Sequence, residues 1–277
     1  LDPVLIFGYF GLPRMGIAGA AVATVIGQIV AATMAFLFNL KFNKELNISM
    51  KGFRPNGHLI GQIYKVGAPS IVVQAIGSLM TYGMNLILAA FGSAQTVFGI
   101  YFKLQSFVFM PVFGLNNGMV PIIAYNYGAG HKDRVIRTIK HSVTYGVGIM
   151  LVGLLVMHIF PAQLMRMFDA EESLIAIGVP ALETISLSFV FAGFCIVVGS
   201  VFQALGNGIY SMIVSIARQM CVLLPVAKLL SLSGKVTLIW WAFPIAELAS
   251  VLLSTYFLVR IYKKVISHIG EPVSEDA

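Results

Sequence analysis

Two acidic side chains, Glu183 and Glu247, lie within long apolar stretches of the sequence. If such a stretch crosses a membrane, an uncompensated charge in it costs at least ~2.5 kcal/mol, so each carboxylate requires a partner or a function. Glu247 follows Thr237 by ten residues and lies near the middle of its stretch, where it could exchange a proton or bind a cation. We therefore predict ion coupling at Glu247 first and at Glu183 second.

Each carboxylate also has a structural interpretation. Glu247 could form an ion pair with Arg218 or Lys228, which lie in a neighbouring apolar stretch. Glu183 is nearer to the end of its stretch, one helical turn after Pro180, and could reach a solvated crevice. The sequence leaves both alternatives open.

Neutral polar and basic residues in the apolar stretches predict a polar internal cavity. Gln74, Ser78 and Asn85 are separated by offsets of four and eleven, which place them close to one face of a helix. Lys103 is a lone basic residue that could instead snorkel or bind a lipid phosphate. The candidates for a substrate cavity are Gln74, Ser78, Asn85, Lys103, Asn116, Asn117 and Arg218.

The elements that must position these residues are membrane-spanning helices. The chain is 58% hydrophobic and 10% charged, and about 20 apolar residues suffice to cross a hydrocarbon core of ~30 Å. We predict an all-α, polytopic membrane protein with seven transmembrane helices, within Gly16 to Phe38, Gly67 to Phe91, Ala94 to Tyr125, Ser142 to Phe160, Leu174 to Phe202, Gly208 to Leu230 and Val236 to Val259.

The basic residues predict the orientation of these helices. Twelve of the 18 Lys and Arg residues fall in three connections that alternation places on one side, which the positive-inside rule assigns to the cytoplasm. The first span then runs inward and the C-terminus is cytoplasmic. The twelve residues are Lys41, Lys44, Lys51, Arg54, Lys65, Lys132, Arg134, Arg137, Lys140, Arg260, Lys263 and Lys264.

Several classes of function are disfavoured. The basic residues lie between the spans and not on one face, so the net charge of +7 does not indicate nucleic-acid binding. Cys195 and Cys221 lie inside apolar stretches, and His residues are scattered, so we expect no metal site, no catalytic residues and no cofactor. A seven-helix receptor fits the predicted topology and is a further alternative.

One segment carries a specific motif. Residues 121 to 135 read PIIAYNYGAGHKDRV, which resembles the P-I-x-x-x-N-Y-G-A-x-x-x-x-R-V signature of the multidrug and toxic compound extrusion (MATE) family. Further matches follow the order of the family. They are Gly67-Ala68-Pro69, Phe202-Gln203-Ala204-Leu205-Gly206, Ser215 with Arg218-Gln219 and Pro225, and Trp241-Ala242-Phe243-Pro244-Ile245-Ala246-Glu247.

The resemblance, which is strongest to the bacterial drug-efflux branch, implies a domain organisation. MATE transporters have twelve helices in two six-helix lobes, so this chain is expected to carry helix six and the second lobe, with the first lobe as a missing partner. The implied domains are the end of the first lobe at 1–38, a cytoplasmic linker at 39–66, the second lobe at 67–262 and a cytoplasmic tail at 263–277. Leu1 is not Met, and the stub before the first span is too short to cross a membrane.

The resemblance also implies a function. It predicts a multi-pass protein of the cell membrane, surrounded by membrane lipid, that exports small organic molecules, cations above all, by antiport against H⁺ or Na⁺. Some family members carry an acidic coupling residue in the span that corresponds to Gly67 to Phe91, which has none here. A lipid-linked oligosaccharide flippase of related fold is the alternative, since Lys103, Arg218 and Lys228 would suit a more cationic cavity.

Overall fold

The computed structural model describes residues 1–11, 13–43 and 54–270, with the side chains of residues 65 and 66 excepted. These residues form helices and connecting turns, with no strand among them, which confirms the all-α prediction. The predicted linker at 39–66 and tail at 263–277 lie partly outside the described residues, because they include 44–53 and 271–277. Two compact units, residues 1–57 and 58–277, are described separately below.

The first unit is a helical hairpin with one long arm. Helix α1 spans Asp2–Phe7 and helix α2 spans Gly16–Phe42. Gly19 is buried against the backbone of Leu5, where an added Cβ atom would overlap the Leu5 carbonyl group. The small residue is therefore required for α1 to lie against α2.

The second unit, over its described residues, is a bundle of ten helices joined by short turns and by a π-helical segment. The π segment, Ala217–Leu223, connects α9 to α10. The helices are α3 Gly57–Leu88, α4 Ala94–Gly128, α5 Lys132–Ile159, α6 Pro161–Arg166, α7 Glu172–Ser186, α8 Phe189–Ala204, α9 Gly208–Ile216, α10 Leu224–Ser231, α11 Val236–Ile239 and α12 Ala242–Lys264.

Six segments of the described chain are long and apolar enough to cross a membrane. The stretch from Leu174 to Phe202, predicted as a single span, consists of α7 and α8, which meet at an angle of 48°. At this break the Ser188 hydroxyl donates a hydrogen bond to the Ile185 carbonyl at 2.6 Å, which satisfies a carbonyl that the helix leaves free. The chain has a seventh span if the two helices together cross the bilayer.

Helix α8 lies at the centre of the bundle and packs against α4, α5, α9 and α12. Gly146 on α5 faces Gly193 on α8, and a Cβ atom added to Gly193 would lie 3.0 Å from the Gly146 carbonyl oxygen. Small residues allow this approach, since helices in lipid associate through close packing and not through water exclusion. The largest side chains buried around this contact and elsewhere in the core include Phe98, Met150, Phe189, Phe202 and Trp240.

Candidate functional site

A cavity of about 1220 Å³ lies within the bundle, between α3, α4, α8, α9, the π segment and α12. Its walls combine aromatic rings with amides, hydroxyls and an ion pair. Six of the nine predicted site residues line it, namely Gln74, Ser78, Asn116, Asn117, Arg218 and Glu247. The remaining three, Asn85, Lys103 and Glu183, do not belong to its lining.

Asn85 shares a face of α3 with Gln74 and Ser78 but lies too far along the helix. Eleven residues at a rise of 1.5 Å separate Gln74 from Asn85 by about 16 Å, and the cavity lining on α3 ends at Thr81. The Asn85 side chain donates a hydrogen bond to the Thr81 carbonyl at 2.9 Å. Its position is thus accounted for by the helix itself.

Lys103 and Glu183 lie outside the cavity in different surroundings. Lys103 is exposed on α4, and its Nζ atom is 5.6 Å from the centre of the Phe168 ring, within the range of a cation–π contact. Glu183 is half-buried on α7, where its backbone carbonyl accepts a hydrogen bond from the Ser186 hydroxyl at 3.1 Å. Neither side chain adds charge to the cavity wall.

Glu247 and Arg218 form an ion pair in the cavity wall. The Arg218 Nη1 atom donates a hydrogen bond to Glu247 Oε1 at 2.5 Å, and the two side chains are 26% and 10% exposed, with Arg218 the more exposed. Tyr101 lies close enough to interact electrostatically with both charges. Of the two partners that the sequence allowed for Glu247, the structure selects Arg218, while Lys228 is exposed near the end of α10.

The backbone around Arg218 is π-helical. Arg218 and its neighbour Gln219 both belong to the π segment and both line the cavity. Pro225, which lacks a backbone N–H group, follows the segment by two residues and interrupts the regular hydrogen-bond pattern. Since π turns are rare and occur often at functional sites, Pro225 is a sequence signal that could have drawn attention to this position.

Several buried oxygen atoms in the cavity wall have no hydrogen-bond partner among the described residues. They include Glu247 Oε2 and the hydroxyls of Ser250 and Ser254, at offsets of three and seven along one face of α12. Asn116 Oδ1 is unpartnered in the same part of the chain. Sequence analysis missed the two serines, although their helical spacing from Glu247 was the available signal.

Aromatic side chains supply the apolar part of the wall. Tyr101 and Phe243 pack at a ring-centre distance of 5.9 Å, in an edge-to-face arrangement. Phe102, Phe109 and Phe113 continue the aromatic lining along α4. Such a wall offers both apolar area and ring faces that attract cations.

These features define a class of protein. A helical membrane bundle with a large mixed cavity, a buried ion pair and no group of His, Cys, Asp and Glu in its described part that could hold a metal is typical of a carrier of small molecules. The family model for MatE matches residues 69–229, and the chain belongs to this family. The prediction made from the motifs is thereby confirmed.

Curated relatives of the chain are multidrug export proteins. Multidrug export protein MepA of Staphylococcus haemolyticus (strain JCSC1435) is 27% identical over 262 residues, which cover 94% of this chain and 57% of MepA. MepA of Staphylococcus aureus (strain N315) is 27% identical over 249 residues, covering 89% of this chain and 54% of MepA. The chain therefore spans about half the length of the curated relatives it matches.

Solved structures agree on the fold. The MATE multidrug transporter DinF-BH, in complex with a small molecule, superimposes with a TM-score of 0.82 at 31% identity, covering 96% of this chain and 58% of DinF-BH. A mutant of the Vibrio cholerae MATE transporter VcmN gives a TM-score of 0.84 at 19% identity, covering 96% of this chain and 60% of VcmN. The second similarity bears on the fold alone.

Proposed function

We propose that this chain forms part of a secondary-active transporter that exports small organic cations across the cell membrane by antiport against H⁺ or Na⁺. The observation that carries the proposal is the buried Glu247–Arg218 pair in the wall of the cavity of about 1220 Å³. The relatives named as multidrug export proteins, and the DinF-BH structure with its bound small molecule, support the substrate class.

The proposed coupling uses competition for one carboxylate. A proton or Na⁺ arriving at Glu247 competes with Arg218, which occupies Oε1, while Oε2 is free of hydrogen-bond partners in the described chain. Ion binding and the ion pair therefore stabilise different arrangements of α12 and the π segment. A ligand shifts such an equilibrium only through its difference in affinity for the two states. The driving ion is the only additional component proposed, and no cofactor takes part.

A cationic substrate fits the same cavity. The aromatic rings of Tyr101, Phe102 and Phe243 provide apolar contact and cation–π attraction. The carboxylate of Glu247, once separated from Arg218, supplies a negative charge. Substrate and ion then bind to overlapping groups, which is the requirement for antiport.

Transport in this proposal needs a second helical bundle. The chain spans 57% of the length of MepA from S. haemolyticus, and alternating access requires two bundles that rock against each other around the site. We include in the proposal a first lobe of the same protein and a cytoplasmic C-terminus. Membrane lipid surrounds the whole.

The flippase alternative depends on a cationic cavity. Among Lys103, Arg218 and Lys228, only Arg218 lines the cavity, and its charge is paired with Glu247. Lys103 and Lys228 are both exposed elsewhere. The balance of charge favours an organic cation over an anionic, lipid-linked oligosaccharide, and membership of the MatE family leaves the receptor alternative without support.

Transport by the full-length protein in proteoliposomes tests the proposal. A fluorescent organic cation is loaded, and its efflux is followed under an imposed pH gradient and, separately, under a Na⁺ gradient. We expect efflux that requires one of the gradients and stops when an ionophore dissipates it. Efflux that is equally fast without any gradient, or no efflux under either, would contradict antiport.

Filling the cavity is expected to block binding. Ser78→Trp places an indole group in the lining on α3, so the affinity for a fluorescent cation should fall by at least about tenfold, measured by fluorescence polarisation on the purified full-length protein. The matched control is Leu79→Trp, since Leu79 is the next residue, 56% exposed and outside the lining. Equal losses in both variants would show that the cavity is not the binding site.

A further inference from the structure

A second cavity of about 490 Å³ lies between α4 and α5. It is separated from the first cavity by α4, which contributes different residues to each. Its lining includes Gly114, Gly118 and Ile122 from α4 and Arg137, His141 and Tyr145 from α5. The proposed transport mechanism uses none of these residues.

One end of this cavity is cationic. Arg137 is exposed and makes no ion pair in the described part of the chain, although Asp133 precedes it by four residues on α5. The hydroxyl of Thr138 and the ring of His141 lie at the same end, and the His141 ring stacks on Tyr145 with 6.3 Å between ring centres. A guanidinium group with adjacent hydroxyl and imidazole groups is suited to bind a phosphate ester.

The other end of the cavity is an apolar groove. A Cβ atom added to Gly114 or Gly118 would meet no atom within 4 Å, so the two glycines leave the surface of α4 open. Leu115, Met119 and Ile122 form the remaining apolar surface on α4. A free phosphate ion would contact the cationic end and leave this groove empty.

The two ends lie at the depths that a phospholipid requires. Arg137 is five residues into α5, or about 7.5 Å along the axis, which corresponds to the headgroup region if α5 begins at the membrane surface. Gly118 precedes the end of α4 by ten residues, about 15 Å, which corresponds to the hydrocarbon region. Charge and apolar surface are thus arranged along the membrane normal.

We propose that this cavity binds one anionic phospholipid. Its phosphate contacts Arg137, Thr138 and His141, and one acyl chain follows the groove at Gly114 and Gly118. Basic pockets between transmembrane helices on the cytoplasmic side are suited to anionic headgroups, and the charge distribution predicts that this end of α5 is cytoplasmic. The lipid would fill the space between α4 and α5.

Native mass spectrometry of the purified full-length protein tests the proposal. Phosphatidylglycerol, phosphatidylcholine and inorganic phosphate are titrated separately, and the apparent affinity of each is measured. We expect phosphatidylglycerol to bind more tightly than phosphatidylcholine, and Arg137→Gln to lower its affinity by about five- to tenfold. Arg134→Gln is the control, because it removes the same charge three residues away, outside the cavity.

A second pair of variants tests the groove without changing any charge. Gly118→Leu fills the groove and should weaken phosphatidylglycerol binding, whereas Gly99→Leu should not, since Gly99 is an equally open position of α4 that does not line the cavity. Equal binding of the two lipids, or equal effects of Arg137→Gln and Arg134→Gln, would overturn the proposal. Inorganic phosphate that displaces the lipid with no effect of Gly118→Leu would overturn it as well and assign the site to free phosphate.

Discussion

Glu247→Gln is expected to reduce gradient-driven efflux of an organic cation to the level of empty proteoliposomes. The substitution keeps the size of the side chain and an oxygen that can accept the hydrogen bond from Arg218, but it removes the only carboxylate that the described residues contribute to the cavity lining. A neutral amide can neither exchange a proton nor neutralise a cation. The loss should therefore appear under both a pH and a Na⁺ gradient.

Glu183→Gln is the matched control for this substitution. It makes the same chemical change at the other carboxylate predicted from the sequence, which is half-buried on α7 and outside the cavity. We expect efflux close to that of the unmodified protein. If Glu183→Gln abolishes transport and Glu247→Gln does not, ion coupling belongs to Glu183 and the role proposed for the ion pair is wrong.

Arg218→Met is expected to lower the stability of the folded protein by about 3–5 kcal/mol, because it leaves the carboxylate of Glu247 buried without its partner. Glu247 is 7% exposed, and its second carboxylate oxygen already lacks a hydrogen bond in the described chain. The midpoint of thermal unfolding of the full-length protein in detergent measures the loss. The comparison must be made at a pH where Glu247 would be ionised in water.

The double variant Arg218→Met/Glu247→Leu separates the cost of an unpaired charge from the loss of a contact. Replacing a buried pair by apolar side chains of similar size is often neutral, so we expect most of the stability to return. Transport should remain absent, since the carboxylate is gone. A double variant as unstable as Arg218→Met alone would mean that both side chains act through packing and not through charge.

Some properties of the chain follow from local sequence. Apolar stretches of about 20 residues predict helices because a backbone in lipid must satisfy its hydrogen bonds within the segment, and the six candidate spans agree with this prediction. The motif at residues 121 to 135 identified the family that the MatE model then matched. Both inferences use information that lies within one stretch of chain.

The stretch from Leu174 to Phe202 marks the limit of such local reasoning. Its hydropathy predicts one span, yet α7 and α8 meet at 48° where the Ser188 hydroxyl bonds to the Ile185 carbonyl. Composition reports whether a segment is apolar enough to enter lipid but not whether its axis is straight. The π segment at Ala217–Leu223 was missed for a similar reason, since Pro225 was the local sign of it and a proline alone does not specify a π turn.

The sequence by itself determined the helical membrane class, the family and the short set of polar residues from which a site could be built. Only the tertiary structure decided that Glu247 pairs with Arg218 and not with Lys228, that Ser250 and Ser254 share its face of α12, and that Asn85 lies beyond the cavity. The physical reason is that periodicity fixes positions around one helix axis. Which residues meet across helices depends on the rotation, depth and tilt of each helix against its neighbours, and packing of the whole bundle sets these.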